Sequence, residues 1–276
     1  MQDTKLISDS ELKTKLAIES GTTTNTTVAE FPTETVNLPS RGWFYEKGHP
    51  LSNGTVEIKY MTAKEEDILT SQNLIKQGIV IDKLLQALLV TKFDFNDLLI
   101  ADKNALIFHS RVLAYGKDYE VEVTCPACEE KTKQVIDLTT IEDKDIELKD
   151  GQQYKNYFEY ELPASKIKVG VKLLTHGDEK NIEAEVKGLK KVSSVIDKEL
   201  TTRLKYVIVS VNGNGDNAKI REFVDKMPSR DSLSLRKFVN EITPDIKSEF
   251  DFVCKECGHE ETRRIPMTVS FFWPGV

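Results

Sequence analysis

The sequence predicts an α+β fold made of helical subdomains, short antiparallel β-hairpins and a split zinc-ribbon-like element. Three observations predict it. Stretches that alternate with a period of two, such as TVEIKYM (55–61) and KIKVGV (166–171), are interspersed with stretches of helical period, such as VIDKLLQALLV (80–90) and NDLLIADKNALIFHSRVLAYG (96–116). Gly, Pro and Asn punctuate the short alternating runs. The four cysteines fall into two Cys-x-x-Cys pairs, Cys125 with Cys128 and Cys254 with Cys257, each flanked by strand-like sequence.

Taken in order, residues 1–37 are poor in large apolar side chains and Thr-rich towards their end, which predicts an extended or flexible arm. An N-terminal α+β part spans 38–118. In it Ser52-Asn53-Gly54 turns the chain into the strand TVEIKYM, and Thr62 stands three residues before Glu65, a capping-box spacing that starts a helix through Leu74. A second helix covers 80–90. A third carries Leu106, Ile107, Val112 and Leu113, with Asp102 placed to cap and Gly116 to end it. The first ribbon hairpin spans 119–138. An inserted part, 139–247, opens with the charged turn EDKDIELKDG, continues as an antiparallel pair joined near Pro163, and then reads as helices HGDEKNIEAEVKGL, DKELTTRLKYVIVSVNG and RDSLSLRKFVNEI. The loop at 213–216 leads into a short segment, IREFVDKM. The second ribbon hairpin and an aromatic tail, 248–276, complete the chain.

An order recurs: a helix with Asp-x-x-x-Leu and an Arg (Asp102, Leu106, Arg111; then Asp231, Leu235, Arg236), a strand, then Cys-x-x-Cys. It is too loose in sequence to count as a repeat and reads as two ordinary helix-to-hairpin passages.

A formal net charge of −7 argues against a partner held mainly through phosphates, because such binding depends on Lys and Arg releasing counterions. No apolar run approaches the roughly 20 residues a spanning helix needs. The opening MQDTKLISDSELKTKL lacks the apolar core of a signal peptide, so residence in a reducing cytoplasm, with reduced cysteines, is expected.

A Cys-x-x-Cys knuckle turns two thiolates to one side of a tight loop, and two knuckles supply the four sulfurs of a closed tetrahedral Zn²⁺ site. Cys125, Cys128, Cys254 and Cys257 are therefore the expected ligands of one structural zinc ion. Pro126 stiffens one turn, and Gly258 supplies the positive φ such knuckles use. Compact ribbons separate their pairs by roughly 15 to 20 residues, whereas 125 residues lie between Cys128 and Cys254. One shared site across an insertion is the expectation, since the strand context is the same at both pairs. A site closed by four sulfurs has no position open to water and performs no hydrolysis. Its task is to hold residues far apart in sequence, with about 10 kcal/mol or more of apparent folding free energy available from the metal.

No catalytic or cofactor-binding residues emerge. His49, His109, His176 and His259 fall in no catalytic motif, and NGNGD lacks the lysine of a phosphate cradle. His259 follows the second knuckle and could replace a sulfur, but an exposed hairpin histidine is the simpler reading. Phe271, Phe272 and Trp273, and earlier Trp43, Phe44 and Tyr45, serve either the core or a contact surface. Two rivals to a structural protein stand. A zinc-ribbon adaptor for nucleic acid or a polymerase would use Lys131, Lys133, Arg263 and Arg264, although Glu129, Glu130, Glu260 and Glu261 interleave with them. A dithiol oxidoreductase would place its pair at a helix N-terminus, not between strands.

The segments LPSRGWFYEKGHPLSNGTVEIKYMTAKEEDIL, DLLIADKNALIFHSRVLAYGKDYEVEVTCPAC and FDFVCKECGHEETRRIPMTVSFFWP, in that order, resemble the baseplate hub subunit family of T4-like tailed bacteriophages over roughly 36–276. The resemblance implies a non-catalytic virion or virion-assembly component in the tail baseplate, present in the host cytoplasm during assembly. Its partners would be other phage baseplate and tail proteins, with no membrane and no small-molecule substrate. The metal rests on the cysteine spacing alone.

Overall fold

Hairpins and helices alternate along the chain in the computed structural model, which describes residues 32–147, 153–192 and 198–272. The arm expected over 1–37 therefore lies outside the described residues up to position 31. Its last residues do not belong to an arm: Thr33–Asn37 form β1, which pairs antiparallel with β2 (Thr55–Lys59) and sets Val36 opposite Val56 in the core. A single buried side chain in TETVN hides this strand from a hydrophobicity pattern. The chain between β1 and β2 doubles back so tightly that a Cβ on Gly42 would meet the Ser52 carbonyl oxygen at 2.4 Å. Gly54, at φ 76°, closes the turn into β2.

The capping box forms as expected, with Thr62 and Glu65 bonding reciprocally, but it starts a shorter helix, α1 (Ala63–Thr70). Ser71 is extended, and the chain restarts as α2 (Gln72–Gln77), ended by left-handed Gly78. In α3 (Val80–Leu88), Val80, Leu84, Leu85 and Leu88 occupy one face and are all buried. Full burial of such a side chain contributes about 1.5–3 kcal/mol. The central helix, α4 (Ile100–Tyr115), is buried over much of its surface, including Asp102 and Arg111. Asp102 does not cap it. The carboxylate accepts from the Ser40 amide at 3.0 Å and the Tyr45 hydroxyl at 2.5 Å, fastening the helix to the loop after β1.

The first ribbon hairpin is β3 (Asp118–Thr124) with β4 (Lys131–Asp137). Then β5 (Phe158–Glu161) pairs with β6 (Lys168–Val171), followed by α5 (His176–Val192) and α6 (Glu199–Val207). The helix expected over 197–213 stops at Val207. Ile208–Val211 form β7 on the free edge of β6, since β-branched side chains lose χ1 freedom in a helix and fit a pleated surface. The short segment after the 213–216 loop is a full helix, α7 (Asn217–Lys226), capped by Asp216, and α8 (Ser229–Ile242) follows. The second ribbon hairpin is β8 (Glu249–Val253) with β9 (Glu260–Arg264).

The described residues from Thr33 onward belong to one compact unit with a main core drawn from both halves of the chain. Phe271 and Phe272 are fully buried in that core, Phe271 lying 4.9 Å from Phe108 and 5.1 Å from Tyr119. Phe44 and Tyr45 are buried as well. These four rings are core residues rather than contact anchors; Trp273 lies outside the described residues. Among the described residues no helix is long and apolar enough to cross a membrane.

Candidate metal centre

Each knuckle is the tip of a hairpin, and the two tips have the same backbone. The Cys125 amide donates to the Glu130 carbonyl at 2.9 Å and the Glu129 amide to the Cys125 carbonyl at 2.9 Å. In the second knuckle Cys254 donates to His259 at 2.9 Å and Gly258 to Cys254 at 3.0 Å. Both loops need a left-handed residue after the second cysteine, which is Gly258 at φ 71° in one and Glu129 at φ 62° in the other.

Facing one another, the tips interleave their sulfurs. Cys125 Sγ lies 3.7 Å from Cys257 Sγ, and Cys128 Sγ lies 3.6 Å from Cys254 Sγ. All four sulfurs lie within 4.8 Å of one another. A tetrahedral ion with metal–sulfur bonds near 2.3 Å requires sulfurs about 3.8 Å apart, so the residues fit such an ion. The 125 residues between Cys128 and Cys254 do not keep the pairs apart.

Cys125 and Cys254 are the buried members, resting on Val123 and Phe252, each two residues earlier on its strand. Alternation along β3 and β8 puts these residues on one face, and a small second core results. Two hydrogen bonds lock the hairpins to each other: the Gln134 side chain donates to the Asp251 carbonyl at 2.9 Å, and Arg263 donates to the Thr124 carbonyl at 3.1 Å. Arg263 also covers the Phe252 ring at 5.4 Å.

Backbone amides turn towards the sulfurs, which favours thiolate. The Cys257 amide, opposing burial and aided by the Glu256 amide, holds the Cys254 thiol down at about 6. At Cys128 the Glu130 amide pulls the other way from burial and the neighbouring thiols, which prevail and push it to about 12. With four thiols this close, deprotonating one raises the cost of deprotonating the next; a divalent cation removes that conflict. Both pairs join antiparallel strands, so neither has the helix N-terminus that activates a thioredoxin-type cysteine.

The cations named for the nucleic-acid rival are all paired within their own hairpins, three across the strands and Arg263 along β9. Lys131 meets Glu122 at 3.0 Å, Lys133 meets Glu120 at 2.9 Å, Arg263 meets Glu261 at 2.6 Å and Arg264 meets Glu249 at 3.2 Å. Of the acids expected to offset them, Glu261 alone does so; cross-strand register supplies the other partners. Sequence reading missed Gln134 and Arg263 as clamps, because a hydrogen bond between hairpins leaves no periodic signal.

The histidines are dispersed. His49 caps a 3₁₀ turn and stacks on Tyr45, His109 is exposed on α4, and His176 is buried beside Asp82 and Lys103. His259 contributes its carbonyl to the second knuckle and is not part of the four-sulfur group. A family model described as T4 bacteriophage base plate protein matches residues 35–273. No curated protein and no solved structure matches the chain.

Proposed function

The chain belongs to the T4 bacteriophage base plate protein family, with a structural or assembly role in the phage tail baseplate, and from that premise we propose a more specific part. It is a subunit or assembly factor of the hub region of a contractile-tail baseplate, held rigid by one structural zinc ion on Cys125, Cys128, Cys254 and Cys257, and working through contacts with other tail proteins. The observation that carries this reading is the four-sulfur group, to which the hairpin at 118–137 and the hairpin at 249–264 each bring two sulfurs. The donor set has the chemistry of a closed site, with no position left for a substrate. Bound there, zinc supplies cohesion rather than reaction chemistry. Pairing of the four ribbon cations supports protein over nucleic acid as the partner class.

Native mass spectrometry of the purified full chain tests the metal. One zinc per chain, lost on chelation together with a large drop in the thermal midpoint, is expected. Two zinc ions, or none, would overturn the shared site, and tight salt-sensitive DNA binding would overturn the partner class.

A further inference from the structure

We propose that residues 33–138 and 158–267 are two copies of one folding module fused in tandem, each supplying half of the four-cysteine site. The recurring order noted in the sequence is, on this reading, the visible trace of a duplication rather than two ordinary helix-to-hairpin passages. Only the half-site clause depends on the zinc reading above; the duplication rests on strand register and hydrogen bonds.

Five matched features occur in the same order in each half. First, a hairpin strand leads into a Leu-Pro turn with a buried leucine, Leu38-Pro39 and Leu162-Pro163, whose leucine amide bonds across to the carbonyl of Gly54 at 2.8 Å and of Ile167 at 2.9 Å. The register is the same: Val36 opposite Val56, Tyr160 opposite Val169. Second, the returning strand ends in Lys-x-x-Thr-x-x-acid. Lys59 reaches Glu65 at 2.8 Å, and Lys172 reaches Asp178 at 2.8 Å. The Thr62 amide donates to Glu65 at 3.1 Å, as the Thr175 amide does to Asp178 at 3.1 Å. Third, after a helical stretch the chain returns to that same strand, Leu89 bridging Ile58 and Ile208 pairing with Val171.

Fourth, a fully buried aspartate in the next long helix latches the Leu-Pro turn. Asp102 accepts from the Ser40 amide, and Asp231 accepts from the Ala164 and Ser165 amides at 2.7 and 3.0 Å. Fifth comes the knuckle hairpin, with Val123 opposite Thr132 and Phe252 opposite Glu261. Asp102, Leu106, Val123, Cys125, Cys128 and Ile136 each have a counterpart 129 positions later, whereas Arg111 and Arg236 lie 125 apart and are not counterparts. Between the features the spacing changes, to 124 at the Leu-Pro turn and 113 at the capping boxes. The first copy has the longer loop within its hairpin. The second has the longer path from capping box to aspartate, containing β7 and α7.

A capping box or a hairpin alone is common. An uncommon series, a Lys-to-acid bridge on the cap, a helix aspartate on a Leu-Pro turn and a knuckle at fixed distance, repeated in order, is what duplication produces. The knuckle face of the module is then an interface whose partner is a second copy of the same module, which tandem fusion supplies within one chain.

The test uses the full-length chain with residues 125–130 (CPACEE) and 254–259 (CKECGH) exchanged reciprocally. Equivalent copies predict a folded chain, a thermal midpoint within about 3 °C of wild type and the same zinc stoichiometry. Loss of the fold or a changed stoichiometry would count against the proposal. Independently, Asp102→Asn and Asp231→Asn are compared by hydrogen exchange. Each is expected to speed exchange about tenfold or more in its own turn, 39–42 or 164–167, and not in the other. An unchanged 164–167 segment in Asp231→Asn would overturn the equivalence. A wild-type chain without zinc would sink the metal reading while leaving the midpoint and exchange results to judge the duplication.

Discussion

Glu129 and Gly258 occupy the same place in the two knuckles, and only one is suited to it. A side chain held at φ 62° meets the steric conflict between Cβ and the following carbonyl that glycine avoids. Glu129 is exposed, so its side chain offers little to offset that cost. Glu129→Gly should therefore raise the unfolding free energy by about 1 kcal/mol, read from urea denaturation of the full chain. An unchanged or lowered midpoint would mean that the carboxylate contributes to the knuckle in a way its exposure does not reveal. Gly258 was legible in the sequence because glycine advertises a positive φ. Glu129 was not, since nothing about a glutamate announces a left-handed backbone.

Besides the hydrophobic core, buried polar groups tie elements to one another, and Asp102 is one of these. Burial outweighs its bonds from Tyr45 and Ser40 and lifts the carboxyl from 3.8 to about 6. A carboxyl raised in the folded state favours folding when protonated, so its contribution is fully present below 3.8 and is lost as pH rises through 6. Wild type should gain about 1 kcal/mol relative to Asp102→Asn on moving from pH 7 to pH 5. Paired denaturant titrations at the two pH values would show it, and a pH-independent difference would rule it out. At this scale local rules read well where they are local. Thr62 and Glu65 announced α1, and the face of α3 announced its burial. Reading failed where a neighbour decided the outcome: β1 exists because β2 lies beside it, and Ile208–Val211 leave the helix because β6 offers an edge. The four cysteines were legible as a set because their spacing is chemical. Their clamps, Gln134 and Arg263, reach across between hairpins and were not.

At the scale of the whole described fold, its C-terminal end is tied to the middle of the chain at Arg111. Fully buried on α4, it donates to the carbonyls of Phe271 at 2.9 Å, Gly116 at 3.0 Å and Asp118 at 3.3 Å. It thereby joins the 3₁₀ turn at Val269–Phe272 to the start of the first ribbon strand. Arg111→Met would keep much of the packing but leave those carbonyls without a donor, at a cost of about 3 kcal/mol. Limited proteolysis should then cut first near residues 265–272, and a cleavage pattern like wild type would refute the tie. The order of the cysteine pairs also has a consequence in time. On a ribosome adding 5–20 residues per second, Cys125 emerges about 10 s before its partner 129 positions later. Throughout that interval the nascent chain displays one Cys-x-x-Cys pair without the other, so the first pair must stay reduced until the second is made if the four sulfurs are to meet.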